Sequence, residues 1–358
     1  MTTFKSFRRI VLACLLALIL IIRILPFGGE FYATCLYPYL SYGLSFISSF
    51  CPWSLEEILV CCFTALLILY PLIALFCRRR HILLGELEIL LWIVVWFYMG
   101  WGCNYFRDSF YERLMIYPTD YKKETFHSFL DDFTDNLNKS YTENTQINKQ
   151  HVMKNIKSIF QSIPVGYGLT KPEPFQKPKD LLFNELYSQV GVLGYMGPFM
   201  SESQLNLELS DLEYPFTYAH ELSHLLGVSS EAEANFWAFS VCNKSDIPPV
   251  RYSAYHGLLA YVAQNAKVAL TEEEYENWMK TINPSILEDS KKTSSFWESR
   301  KNPQLNEMQN FIYNIFLKSN NIKDGMQNYS QVIGMIIAVR ESQREPLRRQ
   351  GRALSVKQ

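Results

Sequence analysis

The segment PFTYAHELSHLLGVSSEAEANFWAF occupies residues 215–239. In it His220 and His224 stand four residues apart, and Glu221 follows the first. On an α-helix four residues advance about 400°, so the two imidazoles leave one face a turn apart, where both can reach a single zinc ion. Glu221 lies about 100° around, off the ligand line yet close enough to take a proton from a zinc-activated water, as a general base must. The chain has six histidines, so an H-E-x-x-H is rare by composition. Phe216, Ala219, Leu222, Leu225 and Leu226 give the same helix an apolar, core-facing side.

A catalytic zinc takes three protein ligands and keeps a fourth position open. Gly227 is placed to end the helix in a left-handed turn and send the chain back toward the metal. Ser230 and Glu233 then have the spacing of a capping box, with Glu231 in the first turn of a second helix. Two readings compete for the third ligand. If Glu233 folds back to cap Ser230, Glu231 faces the zinc; if Glu231 is a first-turn dipole residue, Glu233 does. The first is preferred.

HELSH followed by EAEANFWAF resembles the gluzincin branch of zinc metallopeptidases, in which the His-Glu-x-x-His helix is followed by a helix bearing E-x-x-A-[DN]. Glu231, Ala234 and Asn235 match that second pattern, which implies Glu231 as ligand and Asn235 as a residue that orients a ligand. GYMGPF, the stretch with Asn206, PFTYAHELSH, EAEANF and RYSAY, in this order, resemble a bacterial membrane family catalogued as domain of unknown function 3810. That resemblance covers most of the chain and implies topology and fold but no substrate. One departure stands out: only six residues separate His224 from Glu231, far fewer than in the familiar peptidases. In metzincins a short H-x-x-G-x-x-H returns the third ligand, but here Ser230 stands at that place.

Working outward, the N-terminal hundred residues are dominated by apolar runs at Ile10–Phe27, Leu55–Cys77 and Ile82–Cys103. Each approaches the roughly 20 residues that cross a bilayer, so three spans are expected, with no small-x-small cleavage site to mark a signal peptide. The second opens on Ser54-x-x-Glu57, a capping box, and the third carries Glu86 and Glu88 near its start. Lys5, Arg8 and Arg9 precede the first run and Arg78–Arg80 follow the second, whereas Gly28–Ser54, read as a loop, has no Lys or Arg. Basic residues prefer the cytoplasmic side, which puts the N-terminus inside and everything after the third span outside. The expected location is the bacterial inner membrane, multi-pass, with the soluble part facing the periplasm or exterior. Residues 1–103 are thus expected to form an anchor and 104–358 an α+β, mostly helical, zincin-like domain with a small sheet.

Net charge is −1, which gives no case for nucleic-acid binding. Of eight cysteines only Cys242 lies in the soluble part, which excludes a disulfide framework or a cysteine-ligated zinc finger; Cys35 and Cys51 share one segment, and their pairing is left open. In the soluble part, Phe126, Leu130, Phe133 and Leu137 mark an amphipathic helix, and a Pro-rich connector spans Pro164–Pro178. SQLNLELS, with Leu205, Leu207 and Leu209 alternating, reads as an exposed strand available to a substrate. Helices are expected at Arg251–Leu270, Glu273–Met279, Met308–Lys318 and Tyr329–Ser342, with EDSKKTSSFWESRKNPQ as a surface loop. Tyr252, in the RYSAY stretch, is chosen as donor to the developing oxyanion. The functional expectation is a membrane-anchored zinc metallopeptidase acting on a peptide or protein substrate. The alternative is a non-catalytic, zinc-stabilised sensor or binding module of the cell envelope.

Overall fold

The computed structural model describes residues 2–78, 81–118, 123–319 and 331–355. Its first part is wholly helical: α1 (Thr2–Ile24), a short α2 (Gly28–Phe31) with a π-helical turn, α3 (Tyr37–Ser49), α4 (Leu55–Phe76) and α5 (Ile82–Gly100), closed by a 3-10 turn at Gly102–Phe106. Two helices, α4 and α5, are long and apolar enough to cross a membrane, with mean hydropathies of 2.7 and 2.0. The first apolar run, expected as a span of its own, meets that test only together with the segment after it, across a bend of 118°. Residues 28–49, expected as loop, are helical. Their serines explain why: Ser41, Ser45 and Ser48 form one buried stripe, along which Gln176 donates to Ser45 Oγ at 3.1 Å and Lys179 to Ser48 Oγ at 2.8 Å. Glu88, a carboxylate inside an apolar run, is met by Arg8 and Arg9 of α1 at 2.7 and 3.3 Å.

The second part contains α6 (Phe110–Leu114), α7 (Lys123–Ser140), α8 (Lys149–Ser162), β1 (Lys179–Asp180), α9 (Asn184–Gln189), β2 (Gly194–Gly197) and β3 (Glu202–Leu205), followed by helices to the end. These are α10 (Tyr214–Leu225), α11 (Glu231–Asn243), α12 (Pro248–Ala269), α13 (Glu272–Thr281), α14 (Pro284–Arg300), α15 (Pro303–Ser319) and α16 (Val332–Ser355). Helices α10, α11 and α12 pack on one another, with α7, α8 and α16 around them. As the spacing required, Phe126, Leu130, Phe133 and Leu137 of α7 are buried in that core. The stretch expected as surface loop is α14: Asn283 caps it, Pro284 sits in its first turn, and Ile286 and Trp297, three turns apart, bury one face. The last helix begins at Val332, and 329–330 lie outside the described residues.

The sheet has the order β1-β3-β2, with β1 parallel and β2 antiparallel to β3. This corrects the reading of SQLNLELS. Only its first three residues belong to β3, every residue of that strand is buried, and both its edges are already paired. Asn206 breaks the alternation: its side-chain oxygen accepts from Glu208 N at 2.9 Å, an Asx turn that leaves Leu207 exposed and Leu209 buried. The free edge of the sheet nearest α10 is therefore β2.

A largely buried polar joint ties this sheet to the N-terminal helices. Glu202 of β3 pairs with Lys179 at 2.7 Å and accepts from Ser48 Oγ and from the first amides of α4, Leu55 N at 3.2 Å and Glu56 N at 3.4 Å. Glu56 in turn accepts from Phe199 N and Met200 N, and Glu57 from Leu182 N and Phe183 N. Ser54 Oγ takes Glu57 N as expected, but the Glu57 carboxylate clamps the next segment instead of completing a capping box. Removing Glu202 would leave the largely enclosed Lys179 ammonium without its counter-ion. Glu202→Ala is expected to destabilise the chain by roughly 3–5 kcal/mol, read as a lowered unfolding midpoint in detergent.

Candidate functional site

Helix α10 ends at Leu225, and Gly227 follows it with φ 98°, the left-handed turn expected of a glycine there. The last carbonyls of a helix have no partner inside it. Here the carbonyls at its end and in the turn that follows are met from elsewhere: Trp101 Nε1 donates to His224 O at 2.9 Å, Tyr37 Oη to Leu225 O at 2.7 Å, Thr170 N to Leu226 O at 3.0 Å and Arg107 Nη1 to Gly227 O at 3.0 Å. Three of those four donors belong to the N-terminal helices or to the turn just after them, so the end of α10 is fixed by the first part of the chain.

From this turn the chain enters α11, whose first residue, Glu231, comes back against the two histidines. His220 Nε2 and His224 Nε2 are 3.1 Å apart, and Glu231 Oε2 is 3.1 Å from the first and 3.4 Å from the second. The opposite ring nitrogens are held by acceptors: His220 Nδ1 donates to Asn235 Oδ1 at 2.8 Å, and His224 Nδ1 to Val228 O at 2.8 Å. Two ring nitrogens and a carboxylate oxygen thus converge, an arrangement that needs positive charge between them, which a metal ion or a proton on Nε2 can supply. Two nitrogens bound to one tetrahedral zinc at about 2.0–2.1 Å lie roughly 3.3–3.4 Å apart, close to the separation here. The three side chains can hold a metal ion, and the donor set fits one.

The structure brings Glu231, and not Glu233, to the histidines. Ser230 Oγ accepts from Glu233 N, but the Glu233 side chain does not fold back on the cap. It pairs with the buried guanidinium of Arg113 and accepts from Trp237 Nε1 at 2.9 Å. Arg113 lies far away in sequence, which is why the capping pattern alone could not find it.

Glu221 lies beside the triad, 5% exposed, and its Oε2 has no hydrogen-bond partner among the described residues. Burial pushes its carboxyl up to about 7, against the pull of His220 and His224. His224 is pushed down by burial, but the Glu231 carboxylate outweighs this and carries it up to about 9. Glu231, despite its own burial, is held well below the carboxylate range by His224 and His220. Gly194 of β2 makes the close approach possible: a Cβ there would stand 3.0 Å from Glu221 Cγ and 2.8 Å from Gln204 O. A glycine inside GYMGPF was the available sign of such an approach.

These residues open into a cleft of about 730 Å3. One wall is β2 with the residues before it, Val190 to Met196; another is the end of α5 and the turn after it, Phe97, Trp101 and Tyr105. Tyr261 of α12 closes it near Asn235, and burial pushes its hydroxyl up to about 12. Tyr252 is a correction. Its ring is fully buried, its hydroxyl donates to Asp289 Oδ2 at 2.9 Å, and it is not among the cleft residues. Tyr261, nine residues on along the same helix, reaches the cleft instead, and neither it nor Tyr105 was marked by any motif.

A family model described as Protein of unknown function (DUF3810) matches residues 32–337, and the chain belongs to that family. The match runs from the N-terminal helices through the His220 site. Comparison with curated proteins and with solved structures returns no match.

Proposed function

We propose that this member of the DUF3810 family is a membrane-anchored, zinc-dependent metallopeptidase of gluzincin-like architecture, hydrolysing peptide bonds outside the cytoplasm. The observation that carries the reading is the buried, unpartnered Glu221 Oε2 next to the convergent Nε2 atoms of His220 and His224 and the Glu231 carboxylate. Those three side chains would hold the zinc, and Asn235 and Val228 O fix the two imidazoles. Zinc, when bound, supplies a Lewis acid and an acidified water. Glu221, beside the three ligands and with its Oε2 unpartnered among the described residues, accepts the proton and passes it to the leaving amine. Tyr105 and Tyr261 line the cleft, which supports them, rather than Tyr252, as donors to the charge that develops on the scissile carbonyl. An extended substrate adds to the outer edge of β2, the role first expected of the strand at Leu205.

The test uses the purified full-length chain and a broad peptide library. Cleavage that a chelator stops and added zinc restores supports the peptidase; zinc binding without cleavage favours the sensor or binding module.

The anchor is read as three spans, the bent first pair counting as one, in the bacterial inner membrane with the N-terminus inside. The basic residues around α1 and after α4, against none between Gly28 and Ser54, support this orientation. A reporter active only outside the cytoplasm is expected to be active when fused after Gln358 and silent when fused after Arg80. The opposite pattern would invert the assignment.

A further inference from the structure

If α5 crosses a bilayer, its 19 residues span about 28 Å, the thickness of the hydrocarbon core, and Gly100 ends at the outer surface. Trp101 is the next residue, and its ring centroid lies 6.4 Å from that of His224. Phe97, one turn inside α5, is itself a wall of the cleft. The hairpin that ends β2 goes lower still: the Phe199 ring packs on Phe63 of α4 at 5.1 Å and on Trp96 of α5 at 6.2 Å, and Trp96 Nε1 donates to Phe199 O at 3.0 Å. Phe63 is two turns into α4, so the free edge of β2 begins at membrane level.

Two exposed apolar surfaces flank this level. The face of α3 opposite its serines, with the turn after it, shows Tyr39, Phe50 and Trp53 at 79%, 76% and 63% exposure, an aromatic set suited to the headgroup region. Beside the cleft, the start of α9 and the residues before it expose Leu182, Phe183 and Leu186, and Glu57 of α4 holds the backbone there. The soluble part is thus seated on the bilayer on both sides, with the cleft between.

We propose that the cleft opens at the bilayer surface, and that its substrates are membrane-anchored polypeptides bound through the extended segment within a few residues of their own membrane attachment. This rests on the peptidase reading for the cleavage but not for the placement. A segment emerging beside α5 meets the edge of β2 directly, whereas one carried far from the membrane must bend back against the headgroups to reach it.

The test reconstitutes the full-length chain in proteoliposomes with single-span reporters. Each carries the same randomised 12-residue segment, either directly after the span or after a 30-residue Gly/Ser spacer. Both are confined to the membrane at equal surface density, and a 30-residue spacer spreads the segment over only roughly 30 Å above it, a dilution of a few-fold that a ~10-fold difference exceeds. Cleavage at least ~10-fold faster without the spacer is expected; equal rates, or faster cleavage with the spacer, would overturn the inference while leaving the peptidase intact. Should neither reporter be cut, the peptidase reading fails and placement is decided by photocrosslinking. A benzophenone amino acid at Leu186 is expected to label lipid, and one at the exposed Val268 is not. No lipid adduct at Leu186 would overturn the inference.

Discussion

Replacing His220 or His224 by alanine is expected to strip most of the metal from the purified full-length chain and leave it folded. The two Nε2 atoms and the Glu231 carboxylate converge on one point, so losing either imidazole leaves two ligands, which hold zinc poorly. A loss of affinity of at least ~10²-fold is expected, because removing a mere orienting partner of a ligand already costs about 10–100-fold. Asn235→Ala, which frees His220 Nδ1, should fall in that smaller range. The two glutamates separate cleanly. Glu231→Ala should lose metal, whereas Glu233→Ala should keep it and lose stability, since it strands the buried Arg113 guanidinium. Metal content by elemental analysis and unfolding midpoints on the same preparations check both. Full metal in Glu231→Ala with loss in Glu233→Ala would reverse the assignment.

What could be read from the sequence was local. His220, Glu221 and His224 are fixed by helical period within five residues, and the chain's return through Gly227 to Glu231 needs only a left-handed turn. The apolar lengths of α4 and α5, and the packed face of α7, follow from composition and spacing in the same way. What could not be read depends on partners distant in the chain. The carbonyls at the end of α10 are bonded by Trp101, Tyr37 and Arg107, and hydropathy records these only as residues of, or next to, an anchor. Alternation at Leu205, Leu207 and Leu209 imitated an exposed strand because Asn206 turns the chain after Leu205. Tyr252 and Tyr261 lie on one helix, and only the packing of α12 decides which faces the cleft. The parts before and after residue 103, expected as separate units, share hydrogen bonds at the site itself. Experiments on the site therefore call for the full-length chain.

Glu221→Gln against the parent tests the central claim most directly. The substitution keeps the size of the side chain and removes the base, and no described partner of Glu221 Oε2 is lost with it. Metal content and unfolding midpoint are read together with cleavage of one broad peptide library. The account predicts equal metal, a similar fold and turnover lower by at least ~10²-fold, the scale of a general base. Cleavage undiminished in Glu221→Gln, or a zinc-loaded parent that cuts nothing the variant does not, would contradict it.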